Sequence, residues 1–132
     1  MERTPIQKMV KNPFPDVYTV PLFRRSWCKM MCEEIEHMKK EFGFESNQDE
    51  DLLRQIPEIV LREKCADLYT NMWFVVRTVI NPIIMALWQR SCGDPATIQI
   101  ANYNLGETGM GHWHHDDSAD ISVVVPLNTG SY

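Results

Sequence analysis

The sequence predicts an α+β protein in which helices cover one face of a mainly antiparallel sheet. Apolar residues recur at helical spacing in two segments, from Ser26 to Phe42 and from Cys65 to Trp88. Strand-like segments precede and follow these helices, and the clearest of them lie toward the C-terminus. This segregation of helices and strands favours helices packed on an antiparallel sheet over an alternating parallel arrangement.

The first third of the chain is expected to hold an arm, one strand and one helix. Residues 1–16 are polar and contain three prolines, which favours an arm or loop. Residues 17–23 are β-branched and aromatic, so we expect a short strand that ends near Pro21. Ser26 is the predicted N-cap of a helix that Gly43 ends. The apolar positions of this helix are Met31, Ile35, Met38 and Phe42.

The middle of the chain predicts an edge strand and a long helical region. Residues 43–52 are acidic and polar, which is typical of a loop. Residues 56–61 suit an edge strand because Pro57 cannot donate a hydrogen bond to a neighbouring strand. Residues 65–88 predict a helix that Pro82 kinks or splits. The predicted buried stripe consists of Met72, Val76, Val79, Ile83 and Leu87.

The last third of the sequence predicts two strands, one on each side of a glycine-rich loop. Residues 97–103 alternate between apolar and polar side chains, as a half-buried strand does. Residues 121–128 form a second, β-branched run. Between them, residues 112–117 hold three of the chain's four histidines and two aspartates.

Composition restricts the class of protein. A chain of 132 residues fits a single domain, 1–132, and 44% hydrophobic with 23% charged residues is ordinary for a globular protein. The net charge of −5 and scattered basic residues argue against nucleic acid as a partner. We expect no signal peptide and no membrane span, because polar residues interrupt every long apolar stretch. The four cysteines are expected to be structural.

The cluster of His and Asp residues has the spacing of half a metal site. Residues i and i+2 of an extended chain point to the same side, so His114 with Asp116, or His115 with Asp117, can bind one metal ion. One His and one carboxylate, joined by a second His, form the facial triad of non-haem Fe(II) oxygenases. The alternative is a polar loop whose side chains hydrogen-bond one another. The spacing alone leaves both registers open.

Several short segments, taken in their order along the chain, are similar to a known enzyme family. These segments are Asp16-Val17-Tyr18, Pro21-Leu22, Cys32 to Met38, Ile80 to Ile83, Ala101-Asn102-Tyr103, His114-His115-Asp116 and Leu127-Asn128. Together they resemble the catalytic domain of procollagen lysyl hydroxylases, within the prolyl/lysyl hydroxylase branch of the Fe(II)/2-oxoglutarate dioxygenases. The resemblance favours His114 and Asp116 as the iron ligands. It also implies that Tyr103 donates a hydrogen bond to 2-oxoglutarate.

The resemblance implies a function and a fold. The implied reaction is hydroxylation of a peptidyl lysine in a collagen-like substrate by O₂, with Fe(II), 2-oxoglutarate and ascorbate (vitamin C). A peptidyl proline is the next substrate to consider. The resemblance also implies that the protein is located in the lumen of the endoplasmic reticulum. The implied fold carries N-terminal helices on an incomplete double-stranded β-helix, or jelly roll.

The chain also departs from the family's pattern. Such enzymes have a second His ligand and an Arg or Lys anchor for 2-oxoglutarate downstream, and the sequence contains no His after His115. We therefore expect a catalytic domain truncated at its C-terminus, with only the HxD half of the iron site and no turnover by itself. The alternative is a non-catalytic or partner-completed oxygenase fold for binding or assembly, in which a homodimer or a second chain completes the sheet.

Overall fold

The computed structural model describes residues 6–95, 97–104, 106, 108, 111, 112, 114–116 and 119–129. Helices and small antiparallel sheets are both present, so the prediction of a mixed α+β class is confirmed. The helices are α1 (Ile6–Met9), α2 (Arg25–Glu41), α3 (Leu61–Lys64), α4 (Ala66–Val75) and α5 (Asn81–Trp88), with a π-helical turn at Val76–Ile80 and a 3₁₀ turn at Leu52–Arg54. The strands are β1 (Lys11–Phe14), β2 (Val17–Thr19), β3 (Glu45–Ser46), β4 (Pro57–Val60) and β5 (Gln99–Ala101).

The N-terminal segment contains a helix and a β-hairpin. Strand β1 pairs antiparallel with β2, and Phe14 lies opposite Val17. The expectation of an arm or loop over residues 1–16 is therefore wrong for its described part. Pro13 did not prevent the strand, because in a two-stranded ribbon each strand has a free edge where a missing N–H breaks no bond. Asp16 has φ 59, a left-handed conformation that its short polar side chain tolerates, and this makes the tight turn.

Helix α2 supplies the main helical face of the core. Its N-cap is Arg24, which makes no side-chain capping bond, so the prediction of Ser26 as the N-cap is wrong. The helix ends as predicted, since Gly43 adopts φ 73 and its N–H donates to the Lys39 carbonyl at 3.0 Å. Met38 of α2 is buried.

The three-stranded sheet has the order β3-β4-β5 and is antiparallel throughout. The strand predicted at 56–61 is thus central, and its prediction as an edge strand is wrong. Pro57 is tolerated because it is the first residue of β4, and its carbonyl accepts a hydrogen bond from the Asn102 N–H at 2.9 Å. Strand β3 also lies inside the loop predicted at 43–52, whereas β5 lies inside the strand predicted at 97–103.

The core lies between this sheet and the helices. Its buried cluster consists of Met38, Ile59 and Leu61, from α2, β4 and α3. Half-buried residues of α4, among them Leu68 and Met72, pack against it. The described helices and sheet therefore form two layers, as an α+β fold predicts.

A π-helical turn separates α4 from α5. The Asn81 N–H donates to the Val76 carbonyl, five residues earlier. Pro82 explains the wide turn, because it has no N–H and in a regular α-helix its ring would clash with the Thr78 carbonyl. The predicted split is therefore not seen, and the irregularity before Pro82 is a π-helical turn within a continuous helical region from Ala66 to Trp88.

The wide turn changes which side chains are buried. Ile80 and Ile84 are buried, whereas Val79, which belongs to the predicted stripe, is 40% exposed. One extra residue per turn rotates the following helix, so an uninterrupted period of 3.6 gives the wrong face. The predicted stripe is wrong at Val79 and right at Met72, which contacts the core.

The helical region Ala66–Trp88 is the one described helix long and apolar enough to cross a membrane by length and composition, with 23 residues and a mean hydropathy of 1.3. It contains Arg77 and the wide turn before Pro82, and its α4 part packs on the core. A single helix of this kind is weak evidence for a membrane span.

The β-branched run at 121–128 forms no strand. Its backbone pairs with no other described strand, and Val124 is 85% exposed. The strand prediction is wrong here because a β-branched sequence also needs a partner edge. The described sheets have two and three strands, so the jelly roll implied by the resemblance stays a prediction.

Candidate metal centre

The candidate site lies on the chain that follows β5. The Asn102 N–H extends the pairing with β4 by one residue, through its bond to Pro57. The chain then turns back, and the Asn104 N–H donates to the Thr108 carbonyl at 3.1 Å. Gly106 has φ 90, which glycine adopts at little cost. The hydrogen bond thus brings Asn104 and Thr108 together shortly after β5.

Tyr103 lies beside Gly111. A Cβ at Gly111 would stand 3.5 Å from the Tyr103 hydroxyl and 3.6 Å from Cδ1 of Ile56. The bare glycine therefore lets the loop run close to Tyr103, which is itself exposed. This places the predicted cofactor-binding hydroxyl beside the residue that precedes His112.

His114 and Asp116 face each other. Nε2 of His114 lies 3.5 Å from Oδ1 of Asp116. Nδ1 of His114 lies 2.6 Å from the carbonyl oxygen of His112, which can only accept a hydrogen bond. In the neutral ring the proton is therefore on Nδ1, and the Nε2 lone pair is directed toward Asp116. A backbone carbonyl that fixes the tautomer in this way is common for metal-binding histidines.

The carboxylate of Asp116 is held by the chain that follows it. The Ser122 hydroxyl donates to Oδ2, and the Ala119 N–H donates to the Asp116 carbonyl at 2.9 Å. Oδ2 of Asp116 therefore accepts a hydrogen bond from Ser122, while Oδ1 faces His114. Ser122 was not predicted as a site residue, because the pattern of residues 121–128 predicted only a strand.

An ion pair connects the same loop to the end of α5. Nη2 of Arg90 lies 3.2 Å from Oδ1 of Asp120. Both side chains are exposed, so the pair contributes at most about 1 kcal/mol. Sequence reasoning missed this contact because thirty residues separate the partners.

The geometry of His114 and Asp116 allows two chemical interpretations. With a neutral ring, the imidazole nitrogen and the carboxylate oxygen are donors that suit Fe(II) and related divalent ions. With a doubly protonated ring, the two side chains form an ion pair, as in the polar-loop alternative. Among the described residues, no group of three His, Cys, Asp or Glu side chains could hold a metal ion. Asp117 lies outside the described residues, so the register of His115 with Asp117 stays a prediction.

The remaining predicted features can be placed briefly. His115 is exposed on the described part of the loop. All four cysteines are free and half-buried, and Cys65 packs against the core as a structural cysteine does. Burial, and then the negative charge of Glu63, raises the pKa of Glu58 on β4 above its ordinary value of 4.5.

No protein-family model matches the chain, and no curated protein or solved structure matches it either. An assignment of function therefore depends on the sequence motif and on the geometry of this loop.

Proposed function

We propose that this chain supplies the HxD half of an Fe(II) site for 2-oxoglutarate-dependent hydroxylation of a peptidyl lysine. The observation that carries the proposal is the pairing of His114 and Asp116, whose Nε2 and Oδ1 atoms lie 3.5 Å apart. A carbonyl fixes the imidazole and a hydroxyl fixes the carboxylate, so both ligand atoms are oriented before a metal arrives.

Each residue of the loop has a distinct task in this proposal. His114 binds the metal through Nε2, and the His112 carbonyl keeps the ring in the tautomer that leaves Nε2 free. Asp116 binds through Oδ1, and Ser122 restrains the rotation of the carboxylate. Fe(II), when bound with 2-oxoglutarate, supplies the activation of O₂ that side chains cannot perform. The proposal requires a third protein ligand in addition to the described ones.

Tyr103 is proposed to bind 2-oxoglutarate. Its phenol is exposed and lies next to Gly111, at the start of the segment that carries the two ligands. A phenolic hydroxyl donates a hydrogen bond to a carboxylate without adding charge. Support for this role comes from the family resemblance and from this proximity.

The substrate class follows from the resemblance. A peptidyl lysine in a collagen-like strand is the first choice and a peptidyl proline the second, with the endoplasmic reticulum as the proposed compartment. Ascorbate would be required in the assay, because the resemblance implies it as a cofactor.

A second candidate is a non-catalytic or partner-completed fold. The observation that favours it is the exposure of Val123 and Val124, whose backbone pairs with no described strand. An apolar extended segment of this kind gains hydrogen bonds and burial when a strand from a second chain pairs with it.

The test of the proposed function is 2-oxoglutarate decarboxylation by the full-length protein with Fe(II), ascorbate and a collagen-like peptide. Turnover should require a lysyl peptide and should be lost in His114→Ala and Asp116→Ala, while His115→Ala retains most of it. Turnover with prolyl peptide alone would move the assignment to the second substrate. Undiminished turnover in Asp116→Ala would contradict the proposal, and absence of turnover in every form would favour the non-catalytic candidate.

A further inference from the structure

The loop that joins β3 to β4 carries two exposed leucines at its tip. Leu52 is 76% exposed and Leu53 is 60% exposed, on the 3₁₀ turn. Single exposed leucines are common on protein surfaces, but two adjacent ones on one projecting turn indicate a contact surface.

Hydrogen bonds within the loop hold these leucines in place. The Asp51 N–H donates to Oδ1 of Asp49 at 2.8 Å, and the Leu53 N–H donates to Oδ1 of Asp51 at 3.0 Å. At the base, the Asn47 N–H donates to the Ile56 carbonyl at 3.1 Å, and the Ile56 N–H donates back to the Asn47 side chain at 3.3 Å. A tip that is already ordered loses little entropy when a partner covers it.

A groove elsewhere on the molecule has a complementary apolar lining. It lies between α1, the segment after β2 and the π-helical turn, and its volume is about 300 Å³. Met9, Leu22, Val79 and Ile83 are among its lining residues. Met9 and Val79 are themselves exposed, so the groove is accessible from solvent.

Charges of opposite sign accompany the two surfaces. Three acidic residues, Asp49, Glu50 and Asp51, directly precede the leucines. Four exposed basic residues lie within three positions, along the chain, of residues that line the groove, and these are Lys8, Lys11, Arg24 and Arg25. These four form no ion pair with any residue that the structure describes. Arg54, which follows the leucines, pairs with Asp51 and leaves the tip with a net negative charge, so the tip is acidic while the chain beside the groove is basic.

We propose that the Leu52-Leu53 tip of one copy inserts into this groove of a second copy. Tip and groove are different surfaces, so the contact is head-to-tail and each copy has one of each still free. The buried surface is small, and such a contact is weak and reversible. It uses neither His114 nor Asp116, so it is independent of the proposed iron site.

Sedimentation velocity of the full chain over a range of concentrations tests this association. The average sedimentation coefficient should rise with concentration, and added salt should reduce the rise because it screens the opposed charges. Leu53→Asp and Val79→Asp should each weaken the association by at least about tenfold, since each places a charge in an apolar contact. Met30→Asp is the matched control, because Met30 is also exposed and lies on neither surface.

Mixing the two variants gives the decisive result. Leu53→Asp keeps an intact groove and Val79→Asp keeps an intact tip, so an equimolar mixture should form a dimer that grows no further. Circular dichroism of each variant shows that it is folded. A wild-type chain that stays monomeric, a mixture that stays monomeric, or equal weakening by Met30→Asp would each overturn the proposal. Loss of association in Leu53→Asp but not in Val79→Asp would also overturn it, because the tip would then bind another surface.

Discussion

The two ring nitrogens of His114 have different partners, and in the proposed half-site this difference decides which nitrogen would bind the metal ion. Nδ1 is tied to a backbone carbonyl, whereas Nε2 faces a carboxylate oxygen that only accepts hydrogen bonds. Two facing acceptors repel each other unless a proton or a cation lies between them. In the proposed half-site, a divalent cation between His114 and Asp116 would remove this repulsion.

Ser122 is predicted to tune this site without touching the metal. Ser122→Ala removes the hydrogen bond to Oδ2 of Asp116 and leaves the carboxylate free to rotate. Loss of such an orienting partner lowers metal affinity by about 10–100-fold. Calorimetric titration with Fe(II) under anaerobic conditions measures the change, and Ser91→Ala, also exposed, is the control. Equal affinities of Ser122→Ala and the wild-type chain would show that this hydroxyl plays no part.

Glu58 should make the fold less stable as pH rises. Burial, and then the charge of Glu63, raises the pKa of Glu58 in the folded chain, so folding favours the neutral carboxyl. Its contribution is fully present below the unfolded pKa and is lost as pH rises through the folded pKa. Glu58→Gln should therefore increase the free energy of unfolding at neutral pH and change it little near pH 4.

Urea denaturation at a series of pH values measures this effect. Glu41→Gln, at the exposed end of α2, is the matched control and should not change the slope of stability against pH as Glu58→Gln does. A Glu58→Gln variant that is less stable than the wild-type chain at neutral pH would contradict the account.

At the scale of the elements, the π-helical turn sets which face of α5 is buried. Ile84 is 5% exposed, while Val79, which lies within the turn, is 40% exposed. Ile84→Ala should therefore cost about 2–5 kcal/mol of stability, as a buried large-to-small change does. Val79→Ala should cost less than about 0.5 kcal/mol. Thermal or urea unfolding measures both, and a larger loss for Val79→Ala would mean that the turn has been placed wrongly.

The elements also show what a sequence can predict here. The end of α2 was predictable because Gly43 is a local signal for a left-handed C-terminus, and β5 was predictable from its alternation. The central position of β4 was not predictable from Pro57. A proline is excluded from the middle of a central strand, but it is tolerated as the first residue of one, and Pro57 is the first residue of β4.

The site shows the same division between local and long-range information. The approach of His114 to Asp116 follows from a two-residue spacing, which the sequence displays. The roles of the His112 carbonyl and of Ser122 depend on how the loop folds back, and the bond between Arg90 and Asp120 depends on tertiary packing. Contacts of these kinds have no sequence signature of their own.

At the scale of the whole molecule, the two sheets and the helices leave the candidate site at one end of the three-stranded sheet. The core of Met38, Ile59 and Leu61 fixes β4, and β4 positions β5 and the start of the loop. The N-terminal hairpin packs on the end of α5, where the rings of Tyr18 and Trp88 meet edge-on with centroids 4.8 Å apart. The two proposals therefore concern separate parts of the fold: the iron half-site follows β5, and the self-association surface includes α1.

The most direct test of the central claim is Fe(II) binding to the folded protein under anaerobic conditions, compared among the wild-type chain, His114→Ala, Asp116→Ala and His115→Ala. The account predicts that the wild-type chain binds the metal and that His114→Ala and Asp116→Ala lose this binding. His115→Ala should weaken it much less, because His115 belongs to the other register. Binding that survives His114→Ala and is lost in His115→Ala would contradict the account and assign the site to His115 and Asp117.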